Sequence, residues 1–320
     1  YLKNFSTSMK LSFVKITFVT VLLVGIFSAC SDKNSDPIID PTPKPTPEKT
    51  LDYRSRIEVP KTERGSYFIQ HSTKEGNDSV LSYCFEYDTK KCHSRWIAFR
   101  FDKLTRQKNT KRPDIDPFMD DPSLSSYDYI GSETYGYADL TINGKTKSYR
   151  LDRGHLCASA DRLYSIESNE QTFYMTNMSP QINNFNVNYW IAYEQHVQNL
   201  AQSDLFSDTL YVVKGGTIAD DQIIGYVTRR EKKVAVPKSY FIALLCVRNG
   251  NYKALGFLME HNEYETFKNS GKDVTSEEKK NHVVTIDELE QATGIDFFHN
   301  LPDDIENKVE ATTDPAVWGI

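Results

Sequence analysis

The chain has 320 residues, of which 39% are hydrophobic and 26% charged, and its formal net charge is -6. This composition excludes a disordered or fibrous chain and supplies enough apolar material for a sizeable core, in one large domain or two small ones. The mild acidity counts against a wholly basic nucleic-acid binder, but it leaves room for a local basic groove on an enzyme.

In chain order, the first element is a targeting signal. Lys10 and Lys15 flank the start of an apolar run that extends from Ile16 to Ala29. Its roughly 14 residues suit a signal-peptide core and fall short of the ~20 that span a bilayer. The run ends in Phe27-Ser28-Ala29-Cys30, which resembles the lipobox of bacterial lipoproteins, and the segment after Cys30 resembles surface-export signals of Bacteroidetes lipoproteins. The reading is a protein exported to the bacterial outer membrane, anchored there by a lipid on Cys30, or secreted. Residues 31–50 contain the run PTPKPTPEK. Alternate prolines favour a stiff, extended spacer without a core.

Residues 51–320 read as one domain without internal repeats. Segments Ser79–Glu86, Arg95–Asp102, Thr209–Lys214, Tyr240–Val247 and Ala254–Leu258 are rich in β-branched and aromatic residues and predict strands. Helices are expected over Asn186–Asn199, Ser276–Asn281 and Thr285–Thr293, the last with Thr285 and Glu288 as a capping box and Gly294 as a stop. Without a regular strand–helix rhythm, the expected class is α+β with a mostly antiparallel central sheet flanked by helices.

Two polar clusters carry the chemistry. LDRGHLCASADR (151–162) offers a cation in Arg153, a base in His155 and, in Gly154, a residue that permits close backbone approach. NMSPQINNFNVNYWIAYE (177–194) offers several amide oxygens suited to a hard cation, then enters a helix carrying Trp190 and Glu194. A lone His after Gly is usually a surface or core residue, a lone Asn before a helix is usually a cap, and an isolated Glu or Arg is usually solvated. It is the pairing of the clusters, in this order and separation, that singles these residues out.

That pairing resembles the DNA/RNA non-specific endonuclease family, which includes the Serratia nuclease and endonuclease G. Asp152-Arg153-Gly154-His155 matches the family's DRGH motif, and Asn177, Ser179, Pro180, Gln181, Asn186, Trp190 and Glu194 match its second motif. The resemblance extends over most of residues 52–304. It implies the ββα-metal arrangement, with His155 on a hairpin and Asn186 at the start of a helix. It further implies His155 as general base, Asn186 as the protein ligand of Mg²⁺ (with Mn²⁺ able to substitute), and Glu194 as holder of metal-bound water. Arg153 would contact the phosphate and Asn177 and Gln181 would support the site. Arg112, shortly before Asp116-Pro117, resembles the family's second phosphate-contacting arginine, with the spacing a residue off. The implied activity is hydrolysis of DNA and RNA without sequence preference, leaving 5′-phosphate ends. Two other readings are a capture lipoprotein on a decayed nuclease fold, which the intact His155, Asn186 and Glu194 oppose, and a phosphodiesterase for another charged polymer or lipid.

The chain has five cysteines. With Cys30 assigned to lipid, Cys84 and Cys92 flank a turn that a disulfide could bridge, while Cys157 and Cys246 could form a second pair or remain free thiols. A cysteine nucleophile at Cys157 is not expected, since no orienting pattern of a thiol hydrolase accompanies it.

Overall fold

The computed structural model describes residues 52–63 and 66–320. The export signal, Cys30 and the proline-rich spacer lie outside the described residues. Twelve strands are present among those described: β1 (Tyr67–Glu75), β2 (Asp78–Asp88), β3 (His93–Phe101), β4 (Gly136–Ile142), β5 (Lys145–His155), β6 (Met178–Ile182), β7 (Thr209–Gly216), β8 (Ile223–Arg229), β9 (Lys232–Pro237), β10 (Ser239–Arg248), β11 (Asn251–Glu260) and β12 (Val283–Val284). The α-helices are α1 (Ile166–Gln171), α2 (Ile191–Gln202), α3 (Ser276–Lys280), α4 (Ile286–Thr293) and α5 (Asp303–Glu310).

Seven strands form the central sheet in the order β1-β2-β3-β7-β10-β11-β12, with every neighbouring pair antiparallel. Alternate side chains of its inner strands enter two separate cores. Phe99, Val212, Ile242, Leu244 and Phe257 face one core, together with Trp190 and Tyr193 from the α2 region. Trp96, Ala98, Val213, Phe241 and Leu245 face the other, which α4 and α5 close with Ile286, Leu289 and Val309. The expected α+β class is therefore observed.

The expected capping box is also present. Thr285 Oγ1 accepts the Glu288 amide at 3.1 Å, Glu288 Oε2 accepts the Thr285 amide at 2.8 Å, and Gly294 ends α4 at φ 68°. Beside the large sheet lies a smaller one in the order β4-β5-β6. Its β4–β5 hairpin turns at Asn143-Gly144, whose φ values of 50° and 73° fit the asparagine-glycine turn that matches strand twist.

The disulfide expectation is corrected: Cys84, Cys92, Cys157 and Cys246 are all free and buried. Cys84 pairs with Ala98 and faces the α4 side, whereas Cys92 faces the other core. Asp88 and His93 close the β2–β3 ladder, so Cys84 lies four residues, about 13 Å, back along its strand. A disulfide tolerates a Cα separation of at most about 7 Å.

Candidate active site

The two polar clusters meet as neighbouring strands. Asp152 pairs with Gln181, Arg153 with Pro180, Gly154 with Ser179 and His155 with Met178. After β6 the chain enters a π-helical segment, Phe185–Trp190, which runs directly into α2. Two strands and a helix thus surround an open cleft of about 980 Å³. All five residues expected from sequence, Arg112, Arg153, His155, Asn186 and Glu194, line it, as do Asp116, Phe118, Arg150 and Asp152.

His155 closes β5 and is only 9% exposed. Its ring lies 5.1 Å from Phe173, edge to face, and 6.0 Å from Phe118. Burial, and then the positive field of Arg112, lower its pKa to about 3, with Lys214 and Arg153 adding to the effect and Asp116 opposing it. The imidazole is therefore neutral at physiological pH, the form that accepts a proton.

The motif glycine is required by packing. A β-carbon on Gly154 would stand 2.0 Å from Gln181 Oε1 and 2.6 Å from its Cγ. Gln181 is fully buried across the strand pair. Asn177 ties down the loop after His155: its Oδ1 accepts the Cys157 amide at 2.8 Å, and its Nδ2 donates to Cys157 O and Thr172 O. Ser179 Oγ lies 2.6 Å from both His93 Nε2 and Tyr240 OH. Since His93 Nδ1 donates to Ser94 O, its Nε2 accepts from the serine. Asn177 thus holds backbone and Ser179 links two side chains behind the strands, while His155 faces the cleft.

Asn186 lies in the π-helical segment. Its Nδ2 donates to Asp152 Oδ2 at 3.2 Å, and Asn183 Nδ2 donates to the same oxygen at 2.7 Å. Asp152 thereby takes the amide nitrogen and leaves Asn186 Oδ1 as the atom for another partner. Trp190 Nε1 donates to His155 O at 3.2 Å and to Glu194 Oε1 at 3.0 Å, linking the strand of His155 to the helix of Glu194. Glu194 is half-buried, and desolvation raises its pKa to about 7 despite the favourable field of Lys214.

Two charged residues beneath the cleft were not singled out by sequence. Lys214 Nζ lies 2.8 Å from Asp161 Oδ2, and both side chains are inaccessible to solvent. Burial opposes the ammonium charge, but Asp161 and Glu194 hold the lysine pKa above its ordinary value. Asp161 also accepts Gln198 Nε2 at 2.9 Å and the Ala158 amide at 3.1 Å. A lysine inside an otherwise apolar central strand was the signal available for it.

Arg112 forms a bidentate pair with Asp116, at 2.8 and 2.6 Å. This hydrogen bonding holds the Asp116 carboxyl below its usual range. Arg153 stacks 3.6 Å from the Phe118 ring centroid and donates to Ser132 O. Arg150, opposite Tyr137 in the β4–β5 ladder, adds a third, largely exposed guanidinium. The donor set around Asn186 and Glu194 is oxygen-rich and suits a hard divalent cation. The arginines suit an anion such as phosphate.

A nuclease from Nostoc is 28% identical over 233 residues, covering 72% of this chain and 76% of the relative. The mitochondrial endonuclease G of Caenorhabditis elegans is 28% identical over 252 residues, covering 75% and 73%. Among solved structures, a chain of the EndoG/EndoGI complex superposes with a TM-score of 0.55 at 20% identity, covering 74% of this chain and 89% of that one. The arrangement is thus the ββα-metal nuclease fold. The family model for DNA/RNA non-specific endonucleases matches residues 64–304, and the chain belongs to that family of non-specific nucleases.

Proposed function

We propose that this nuclease hydrolyses phosphodiester bonds of both DNA and RNA in a Mg²⁺-dependent reaction, with His155 as general base and products bearing 5′-phosphate and 3′-hydroxyl ends. The observation that carries the reading is the convergence of a buried neutral imidazole, an oriented amide, a half-buried carboxylate and three arginines in one cleft. His155 removes a proton from the attacking water. Arg153, backed by Phe118, and Arg112 bind the non-bridging phosphate oxygens. The substrate's negative charge offsets their field at His155 and raises its basicity toward neutrality. Asn186 Oδ1 and water held by Glu194 would carry the ion, which when bound stabilises charge on the phosphate and leaving oxygen. These groups address the phosphate, the attacking water or the ion and none a base edge, which accounts for sequence tolerance.

We also assign residues 1–30 to an export signal with Cys30 as its lipidated end, 31–50 to a spacer, and 51–320 to the nuclease domain. The apolar run and the alternate prolines support this division. Replacing Cys30 by Ser should release the protein from the membrane fraction.

The catalytic test is cleavage of supercoiled plasmid and of a structured RNA, with Mg²⁺ and with chelator. His155→Ala should lose ~10²–10⁴-fold in rate, the usual worth of a general base. Cleavage that survives chelation, or a near-normal rate for His155→Ala, would overturn the mechanism.

A further inference from the structure

Each carboxylate lining the cleft has a hydrogen-bonding partner: Arg112 for Asp116, Asn183 for Asp152 and Trp190 for Glu194. Glu310, the last residue of α5, differs. It is only 5% exposed, and its Oε1 is enclosed without a hydrogen bond among the described residues. Buried Glu86, by contrast, accepts Trp96 Nε1 at 2.9 Å, Arg95 Nη1 at 3.2 Å and the Glu63 amide at 2.9 Å. An isolated buried carboxylate must be neutralised by a proton, a cation or a metal.

Two more carboxylates face Glu310. Asp287 and Glu290 lie one turn apart on α4, and oxygens of all three residues fall within 4.8 Å of one another. Glu290 Oε1 accepts the Phe297 amide at 2.7 Å, which leaves its second oxygen available. The surrounding charge is also negative, from Asp296 and Glu306. The nearby cation, Lys61, is taken up by Asp296 at 3.0 Å. None of the three clustered residues lines the catalytic cleft, and α4 and α5 cover the opposite face of the large sheet.

We propose that Asp287, Glu290 and Glu310 form a second divalent-cation site of calcium type, separate from the catalytic centre, that fastens α5 to α4. The Glu310 carboxyl, enclosed with an unpartnered oxygen and within reach of two further carboxylates, is what points to a ligand. A cation with oxygens at 2.3–2.6 Å spans such a set, tolerates its irregular geometry, and completes its shell with water on the side of exposed Asp287. One proton would satisfy one pair of oxygens and leave a third carboxylate facing them. With Asp296 and Glu306 beside it, a cluster of three carboxylates is short of positive charge.

The test is thermal unfolding of the full chain, stripped of metal at pH 8 and titrated with CaCl₂. Asn186→Ala removes the proposed catalytic ligand and separates the two sites. At a hundredfold excess over Kd, calcium should raise the melting temperature of the parent protein and of Asn186→Ala by roughly 5 °C. It should leave Glu310→Gln unmoved. Asp287→Asn, at an exposed position that folding tolerates, should weaken the calcium midpoint about tenfold; it carries the comparison if Glu310→Gln does not fold. The proposal is overturned by any of four results: no calcium-dependent rise, a rise that survives in Glu310→Gln, an unchanged midpoint in Asp287→Asn, or a rise lost in Asn186→Ala. Stabilisation by acidification from pH 9 to 6 with indifference to calcium would identify a proton-sharing cluster instead.

Discussion

Replacing Gly154 by Ala tests how tightly the strand pair beside His155 is packed. The added carbon would stand 2.0 Å from Gln181 Oε1, 2.3 Å from Cδ and 2.6 Å from Cγ. Ordinary contact begins near 3.4 Å, so the nearest atom must retreat by 3.4 − 2.0 = 1.4 Å. The close approach involves Cγ as well as the terminal amide, and Gln181 is fully enclosed, so a simple terminal rotation does not relieve it. The strands must part or the side chain must leave its pocket. Overpacking of this kind costs about 1–3 kcal/mol in stability. His155 is the next residue, and displacing a catalytic group by about 1 Å costs ~10²-fold in rate. Urea unfolding and single-turnover cleavage of a fluorescent duplex at saturating Mg²⁺ would measure the two losses. Gln181→Ala in the same chain removes the obstructing atoms and should recover at least tenfold of the rate, a coupling that neither single change predicts. If Gly154→Ala cleaves and unfolds like the parent protein, or if Gln181→Ala restores nothing, the packing argument for the motif glycine is wrong.

Three further outcomes follow from the site. Asp152→Ala frees the Asn186 amide to turn, and should raise the Mg²⁺ concentration for half-maximal rate by ~10–100-fold with a smaller change at saturation. Glu194 has its pKa raised to about 7, so its carboxylate form is lost as pH falls through neutrality; at low Mg²⁺, activity should fall on that limb, and higher Mg²⁺ should move the limb to lower pH. A limb that ignores Mg²⁺ would assign the titration to another group. Lys214→Met leaves Asp161 buried without its cation and should cost about 3–5 kcal/mol by urea unfolding, whereas Lys214→Met with Asp161→Asn should recover a large part.

The strands legible in the sequence are those of the large sheet with unbroken β-branched or aromatic runs, because burial on both faces selects such residues. Strand β5 begins Lys-Thr-Lys-Ser and is largely exposed there; the Asn143-Gly144 turn was its clearer signal. Strand β6 contains Pro180, which argues against a central strand, and it lies at the edge of its sheet where the missing amide is tolerated. The helix expected over 186–199 is observed as a π segment followed by α2. The paired motifs brought Arg153, His155, Asn186 and Glu194 into view, since their separation records one strand pairing. Lys214 and Asp161 meet only because α2 packs on β7 and Gln198 of α2 holds the turn that carries Asp161. That proximity belongs to the tertiary fold, and neither residue's neighbours in sequence announce it.

The π segment makes residue count as decisive as residue type. An α-helix advances about 100° per residue, and a π bulge is in effect one residue more than the helix needs. Losing one residue between Asn186 and Trp190 would let the segment relax into regular α-helix without breaking its continuity. Glu194, carried by α2, would keep its place. Asn186 would swing about a quarter-turn around the axis, away from Asp152 and out of the cleft. Every motif side chain would still be present, yet the amide and the carboxylate would no longer face the same point. For a lineage drifting by small insertions and deletions, this stretch is therefore a frame that must be kept in phase, and its length is under tighter constraint than the identity of Val187 or Asn188 within it.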